Sequence, residues 1–109
     1  MKRGDLATVV LPGAHGKPRP ALIVQHDAFE ALPSVTVLPL TSDVRDLPTL
    51  RVDVAPGPVS GVRIRSQVQI DKVMTIPRAK LGERIGSIDA KTLGEVDSAL
   101  ARFLGLGQS

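Results

Sequence analysis

Prolines and glycines interrupt this chain so often that no long regular element fits before residue 90. Its 109 residues include 10 Gly and 9 Pro. The segments between them are short and rich in Val, Ile, Leu and Thr, which suit the pleated backbone of a β-strand, whereas Gly and Pro favour turns. The pattern therefore predicts a small, mostly β protein.

Six or seven short strands are expected. A continuous apolar centre, as at 22–24, indicates a strand buried on both faces, and alternation of apolar with charged residues, as at 50–54, indicates a half-exposed strand. A single helical turn is expected at 78–82. The predicted strands are 6–11, 19–25, 35–40, 50–54, 62–65, 68–76 and 84–88.

One helix is predicted, over residues 90–104. Asp89 can cap its start and Gly105 can end it. Its apolar side chains fall on one face, which we expect to pack on the sheet: Leu93, Val96, Leu100, Phe103 and Leu104. Strands and helix together predict a closed or half-closed barrel that forms a single domain over residues 1–109.

Several classes of protein are disfavoured by what the sequence lacks. No apolar run approaches the roughly 20 residues that cross a bilayer. The apolar stretch behind the basic N-terminus stops at Pro12, which argues against a secretory signal and predicts a cytoplasmic protein. There is no Cys and there are only two His, too few for most catalytic metal centres, so we expect chemistry that is metal-free or uses a metal bridged by the substrate, and no resident cofactor.

Positive charge is concentrated in two segments. Residues 1–25 hold four basic side chains against one acidic, a balance of +3, and residues 51–84 hold seven against three, a balance of +4. Nine of the fourteen cations are Arg, whose planar fork suits phosphate, so a polyanionic partner and a plain solvated surface are both compatible with the pattern. Only Phe29 and Phe103 are aromatic, which leaves no stacking platform for bases, and we expect Phe29 to be buried.

Five segments spread over nearly the whole chain carry a resemblance to a known family. They are Arg3-Gly4-Asp5, 16–25 (GKPRPALIVQ), 37–42 (VLPLTS), 69–76 (QIDKVMTI) and 81–86 (LGERIG). In this order and spacing they resemble the MazF/PemK-like toxins of bacterial toxin-antitoxin pairs.

The resemblance implies an SH3-like β-barrel with a C-terminal helix, the CcdB/MazF-type toxin fold. It also implies a homodimer whose groove binds single-stranded RNA and cleaves it at specific sequences without a metal. The 2′-OH would attack its own phosphate and leave 2′,3′-cyclic phosphate and 5′-OH ends. A cognate antitoxin, typically an acidic segment that folds into the basic groove, would neutralise the activity.

Two residues carry the implied catalysis. By position, Arg19 matches the family's catalytic arginine and Thr41 matches its threonine or serine after the third strand. A guanidinium keeps its proton at neutral pH, so we expect Arg19 to stabilise the phosphorane rather than to act as a base, and Thr41 to hold a phosphate oxygen or the 2′-OH. The structural alternatives are a surface arginine between two prolines and a turn threonine bonded to its own backbone.

Further candidates surround this pair. Many relatives have an acidic residue in the first loop, where Ala14 and His15 stand here, so the general base is not assigned by the resemblance. We hypothesise that His15 carries the proton, the alternative being an exposed loop histidine. Predicted RNA-binding residues, which are alternatively ordinary exposed polar and charged side chains, are Lys17, Ser42, Arg63, Arg65 and Lys72.

Two other functions are compatible with the same small barrel. It also resembles CcdB-like toxins, which inhibit DNA gyrase through an aromatic C-terminal tail, but this chain ends in Gly105-Leu106-Gly107-Gln108-Ser109. A non-catalytic partner that binds an antitoxin and helps it repress its operon would keep the groove and lack the chemistry.

Overall fold

A computed structural model describes residues 1–10 and 16–107. Within these ranges the chain forms seven strands and one α-helix, which confirms the mostly β prediction. The elements are β1 (Asp5–Val10), β2 (Pro18–Ile23), β3 (Ser34–Thr41), β4 (Arg51–Val54), β5 (Ser66–Gln69), β6 (Met74–Pro77), β7 (Leu81–Ser87) and α1 (Ala90–Leu104). No helix in the described part of the chain is long and apolar enough to cross a membrane.

The strands form one antiparallel sheet built around β3. The strand order is β4-β5-β3-β2-β1-β7, and β6 pairs with the first half of β3. On this same edge of β3, the pairing passes from β6 at Val37 to β5 at Leu40, and Pro39, which has no N–H to donate, lies in the gap. The strands at the ends of this order, β4 and β7, are not paired with each other, so of the closed and half-closed forms that were expected, the closed one is excluded and the sheet is open.

Two of the strand predictions were wrong. Residues 62–65 alternate apolar with charged side chains, but Ile64 is 60% exposed and the first residue of β5 is Ser66. No face of this segment is consistently buried, so the alternation does not make a strand. The predicted strand over 68–76 is broken by a 3-10 turn at Ile70–Lys72 into β5 and β6.

Helix α1 begins and ends where the sequence predicts. Asp89 accepts a hydrogen bond from the Thr92 N–H at 2.7 Å, and this bond lowers the pKa of Asp89. Gly105 ends the helix in the left-handed conformation, with φ at 74°.

The buried face of α1 is narrower than predicted. Val96 and Ala99 are buried in the main core, on the side of α1 that contacts β4 and the 3-10 turn at Ile70–Lys72. Phe103 and Leu104 are 45% and 48% exposed, because the last helical turn does not pack on the sheet. The other aromatic residue, Phe29, is 54% exposed on a 3-10 turn after β2, so the expectation that it is buried was also wrong.

Candidate nucleic-acid interface

The start of β2 and the end of β3 lie side by side at the same end of the sheet. These strands pair antiparallel from Ile23 opposite Val37 to Ala21 opposite Pro39. Carried two residues further, the same register leads to Arg19 on β2 and Thr41 on β3. Both side chains line a groove of about 1050 Å³. The backbone pairing therefore brings together two residues that are far apart in the sequence.

Five of the predicted site residues line this groove: Arg19, Thr41, Ser42, Arg63 and Lys72. They come from β2, from the end of β3 and the loop behind it, from the loop before β5, and from the turn after β5. Of the remaining lining residues, Asp43 is acidic. The others are apolar or uncharged: Thr8, Pro18, Pro20, Pro39, Leu40, Gly61, Val62, Ile64, Ser66, Gln69, Met74 and Ile85. Three cations thus face one carboxylate, so the described part of the groove attracts anions.

Arg19 is exposed between two prolines that belong to β2. Pro18 and Pro20 fix the backbone in an extended conformation on either side of it. The ion pairs within the described residues leave out Arg19, Arg63 and Lys72, whereas Arg45 and Arg84 are paired with Asp43 and Asp5. The three groove cations therefore have no carboxylate partner among the described residues.

Thr41 combines a turn role with a position in the groove. Its Oγ1 accepts a hydrogen bond from the Asp43 N–H at 3.1 Å, which is the turn contact expected of a threonine at this place. The hydroxyl hydrogen is not used by that bond, so it can be donated to a phosphate oxygen. Ser42 is exposed beside it and offers a second hydroxyl donor.

Asp43 is a groove residue that the sequence analysis missed. It is the one acidic side chain among the described lining residues, and it forms an ion pair with Arg45 at 2.9 Å. The available signal was the Thr-Ser-Asp sequence at the end of a strand, which a turn explains equally well. The groove therefore contains a carboxylate as well as hydroxyls and cations.

The groove does not account for three of the predicted site residues, which are Arg65, Lys17 and His15. Arg65 lines a second cavity of about 930 Å³ between the β3-β4 loop and α1, and it pairs with Asp53 at 3.1 Å. A hydrogen bond from the Gln67 amide and the contact with Arg65 lower the pKa of Asp53. Lys17 is exposed and does not line the groove. His15 lies outside the described residues.

The arrangement suits chemistry on a phosphodiester. Guanidinium and ammonium groups stabilise the negative charge that builds up on phosphate oxygens, and hydroxyl groups orient the phosphate. Across residues 1–10 and 16–107, no three His, Asp or Glu side chains are grouped so that they could hold a metal ion.

Known proteins are similar to this chain in both sequence and fold. Residues 2–104 match the model of a family described as the PemK-like, MazF-like toxin of type II toxin-antitoxin systems. The chain is 45% identical to a probable endoribonuclease MazF of Mycolicibacterium smegmatis, over 97% of this chain and 98% of that protein.

Solved structures agree with the sequence match. The Mycobacterium tuberculosis toxin MazF-mt6 is 32% identical with a TM-score of 0.81, over 94% of this chain and 97% of that one. A mycobacterial endoribonuclease in complex with its cognate antitoxin also has a TM-score of 0.81 at 28% identity, over 100% and 99% of the two chains. Sequence and fold together show that this chain belongs to the PemK/MazF-like toxins of type II toxin-antitoxin systems.

Proposed function

We propose that the chain is the toxin of a toxin-antitoxin pair and acts as a sequence-specific, metal-independent endoribonuclease on single-stranded RNA. The observation that carries the proposal is the convergence of Arg19 and Thr41 on one cationic groove, in a chain that is 45% identical to a probable endoribonuclease over 97% of its length. The 2′-OH loses its proton and attacks the adjacent phosphate, and the bond from phosphorus to the 5′-oxygen breaks. The products are a 2′,3′-cyclic phosphate and, once the leaving oxygen has taken up a proton, a 5′-OH end.

The predicted site residues that line the groove each have a role in this reaction. The Arg19 guanidinium binds the phosphorane oxygens, whose charge is largest in the transition state. The Thr41 and Ser42 hydroxyls hold the scissile phosphate or the 2′-OH in line for attack. Arg63 and Lys72 bind neighbouring phosphates, which fixes the register of the RNA without reading its bases.

The proton acceptor is His15, and its signature is the pH dependence of cleavage. A histidine accepts a proton only when its imidazole is neutral, so kcat/KM should rise with pH as the imidazole loses its proton. Replacing His15 with Ala should lower kcat/KM and flatten this rise, as measured with a fluorogenic RNA. The matched variant Asp43→Asn should keep the rise. The reverse result, an unchanged profile in His15→Ala and a lost one in Asp43→Asn, would assign the proton to Asp43.

Two protein partners complete the proposal. An antitoxin with an acidic segment occupies the cationic groove and blocks the RNA, as charge complementarity favours. A second copy of the chain covers the apolar side chain of Val59 in the loop before β5, because Val59 is 68% exposed and does not line the groove. The resulting homodimer acts in the cytoplasm, where its RNA substrates are found.

The test is cleavage of a long unstructured RNA in excess EDTA. We expect discrete cuts in primer extension, with 2′,3′-cyclic phosphate and 5′-OH ends. A second RNA with a 2′-deoxynucleotide on the 5′ side of a mapped cut should resist cleavage at that site, because it lacks the attacking hydroxyl. Uncut RNA, or equal cutting of the 2′-deoxy site, would contradict the proposed reaction.

A further inference from the structure

Gln67 of β5 is a buried amide whose hydrogen-bonding capacity is fully used. The residue is 4% exposed. Its Oε1 accepts from the Arg45 N–H at 3.0 Å and from Arg51 Nη1 at 2.9 Å. Its Nε2 donates to the Arg45 carbonyl at 3.1 Å and to Asp53 Oδ1 at 2.9 Å. An amide side chain has two donor hydrogens and two acceptor lone pairs, so all four are occupied.

These bonds fix the backbone of the loop that follows Thr41 and connects β3 to β4. Both backbone polar groups of Arg45 bond to the Gln67 side chain. Arg51, the first residue of β4, also donates to the Asp43 carbonyl at 3.0 Å. The segment from Asp43 to Arg45 is therefore held at two backbone positions by side chains from two strands. Thr41 itself lies opposite Gln67 in the β3-β5 register.

Gln67 supports the groove without lining it. The groove includes its neighbours Ser66 and Gln69 but not Gln67, whose amide has no hydrogen-bonding capacity left for a ligand. Its effect on a ligand must therefore pass through the loop that it holds. A loop held at the backbone presents its hydroxyl groups in one geometry, and a misplacement of about 1 Å can cost a rate on the order of 10²-fold.

We propose that Gln67 is a positioning residue that fixes the Thr41 and Ser42 hydroxyls for cleavage. This inference rests on the proposed ribonuclease function, because it assigns Gln67 a part in the same reaction. The apolar variant Gln67→Leu removes all four bonds at similar volume. The second variant, Gln67→Asn, keeps an uncharged amide but shortens the side chain by one methylene, so it weakens the same bonds and provides a milder disturbance if Gln67→Leu does not fold.

A stability control separates positioning from a general loss of structure. Val35 is fully buried at the opposite end of β3 from Thr41, and six residues of strand place it about 20 Å away. Val35→Ala therefore lowers the melting temperature without touching the Gln67 bonds. All variants are assayed well below their melting temperatures.

The expected result is a selective loss of turnover. Gln67→Leu should lower kcat by about 10- to 100-fold while KM changes less than about threefold, and Gln67→Asn should fall between it and the wild type. Val35→Ala should keep kcat within about twofold. Wild-type kcat in Gln67→Leu, or an equal loss in Val35→Ala, would overturn the proposal.

Amide hydrogen exchange gives a readout that does not depend on RNA cleavage. In Gln67→Leu, or in Gln67→Asn if the first does not fold, the amides of Asp43, Val44 and Arg45 should exchange at least about tenfold faster than in Val35→Ala. Unchanged exchange would overturn the loop-holding role even if cleavage fell. Faster exchange together with a wild-type protein that does not cut RNA would instead contradict the ribonuclease function, and with it the positioning role.

Discussion

Replacing Arg19 with Ala is expected to lower kcat for RNA cleavage by about 10²- to 10³-fold, the range found when one donor to a transition-state oxyanion is removed. KM should change far less, because Arg63 and Lys72 also line the groove and continue to bind the RNA backbone. The fold should be unaffected, since the Arg19 side chain is exposed and flanked by prolines that hold the strand. Single-turnover cleavage of a short RNA that contains one mapped site would measure the effect.

Two further variants define this prediction. Arg19→Lys keeps the positive charge but loses the planar fork, so it should retain part of the activity and no more. Arg102→Ala removes an exposed arginine that lines the second cavity instead of the groove, and it should cleave at the wild-type rate. Full activity in Arg19→Ala, or an equal loss in Arg102→Ala, would show that Arg19 has no specific part in the reaction.

Gly61→Ala is expected to destabilise the protein severely. Gly61 has φ at +75°, and a Cβ built there would lie 1.9 Å from the Ile85 carbonyl oxygen on β7. The left-handed backbone costs a side chain about 1 kcal/mol or more, and the clash with backbone adds strain of similar or larger size. Together these should cost on the order of 3 kcal/mol, which lowers the melting temperature by more than about 10 °C in a domain of this size. Thermal unfolding followed by circular dichroism would measure the loss.

The matched control is Gly94→Ala in the middle of α1. A Cβ built at Gly94 has no heavy atom within 4 Å, and alanine is favoured over glycine in a helix by about 0.5 to 1 kcal/mol. This variant should therefore melt at or slightly above the wild-type temperature. If Gly61→Ala melted with it, the close approach of the Gly61 loop to β7 would be ruled out.

Local sequence patterns were sufficient to predict those elements whose stabilising interactions join residues close together in the chain. The helix was predicted with its exact cap, because Asp89 and Gly105 act on backbone groups within a few residues of themselves. The strand centres were predicted for the same reason, since β-branched runs and Pro-Gly turns act over short distances. The alternation at 62–65 misled, because only the position of a segment relative to the core decides whether either face is buried.

The sequence by itself determined the mostly β architecture, the helix ends and the family resemblance, and it singled out Arg19 and Thr41 as the predicted catalytic pair. Only the tertiary structure decided which charges share a surface. Arg63 lines the groove, whereas Arg65, two residues later, lines the second cavity and pairs with Asp53. The Gln67 bonds likewise join β5 to a loop that lies about 20 residues earlier. Such contacts depend on strand register and on the path of loops, which are set by long-range packing and leave no periodic signal in the chain.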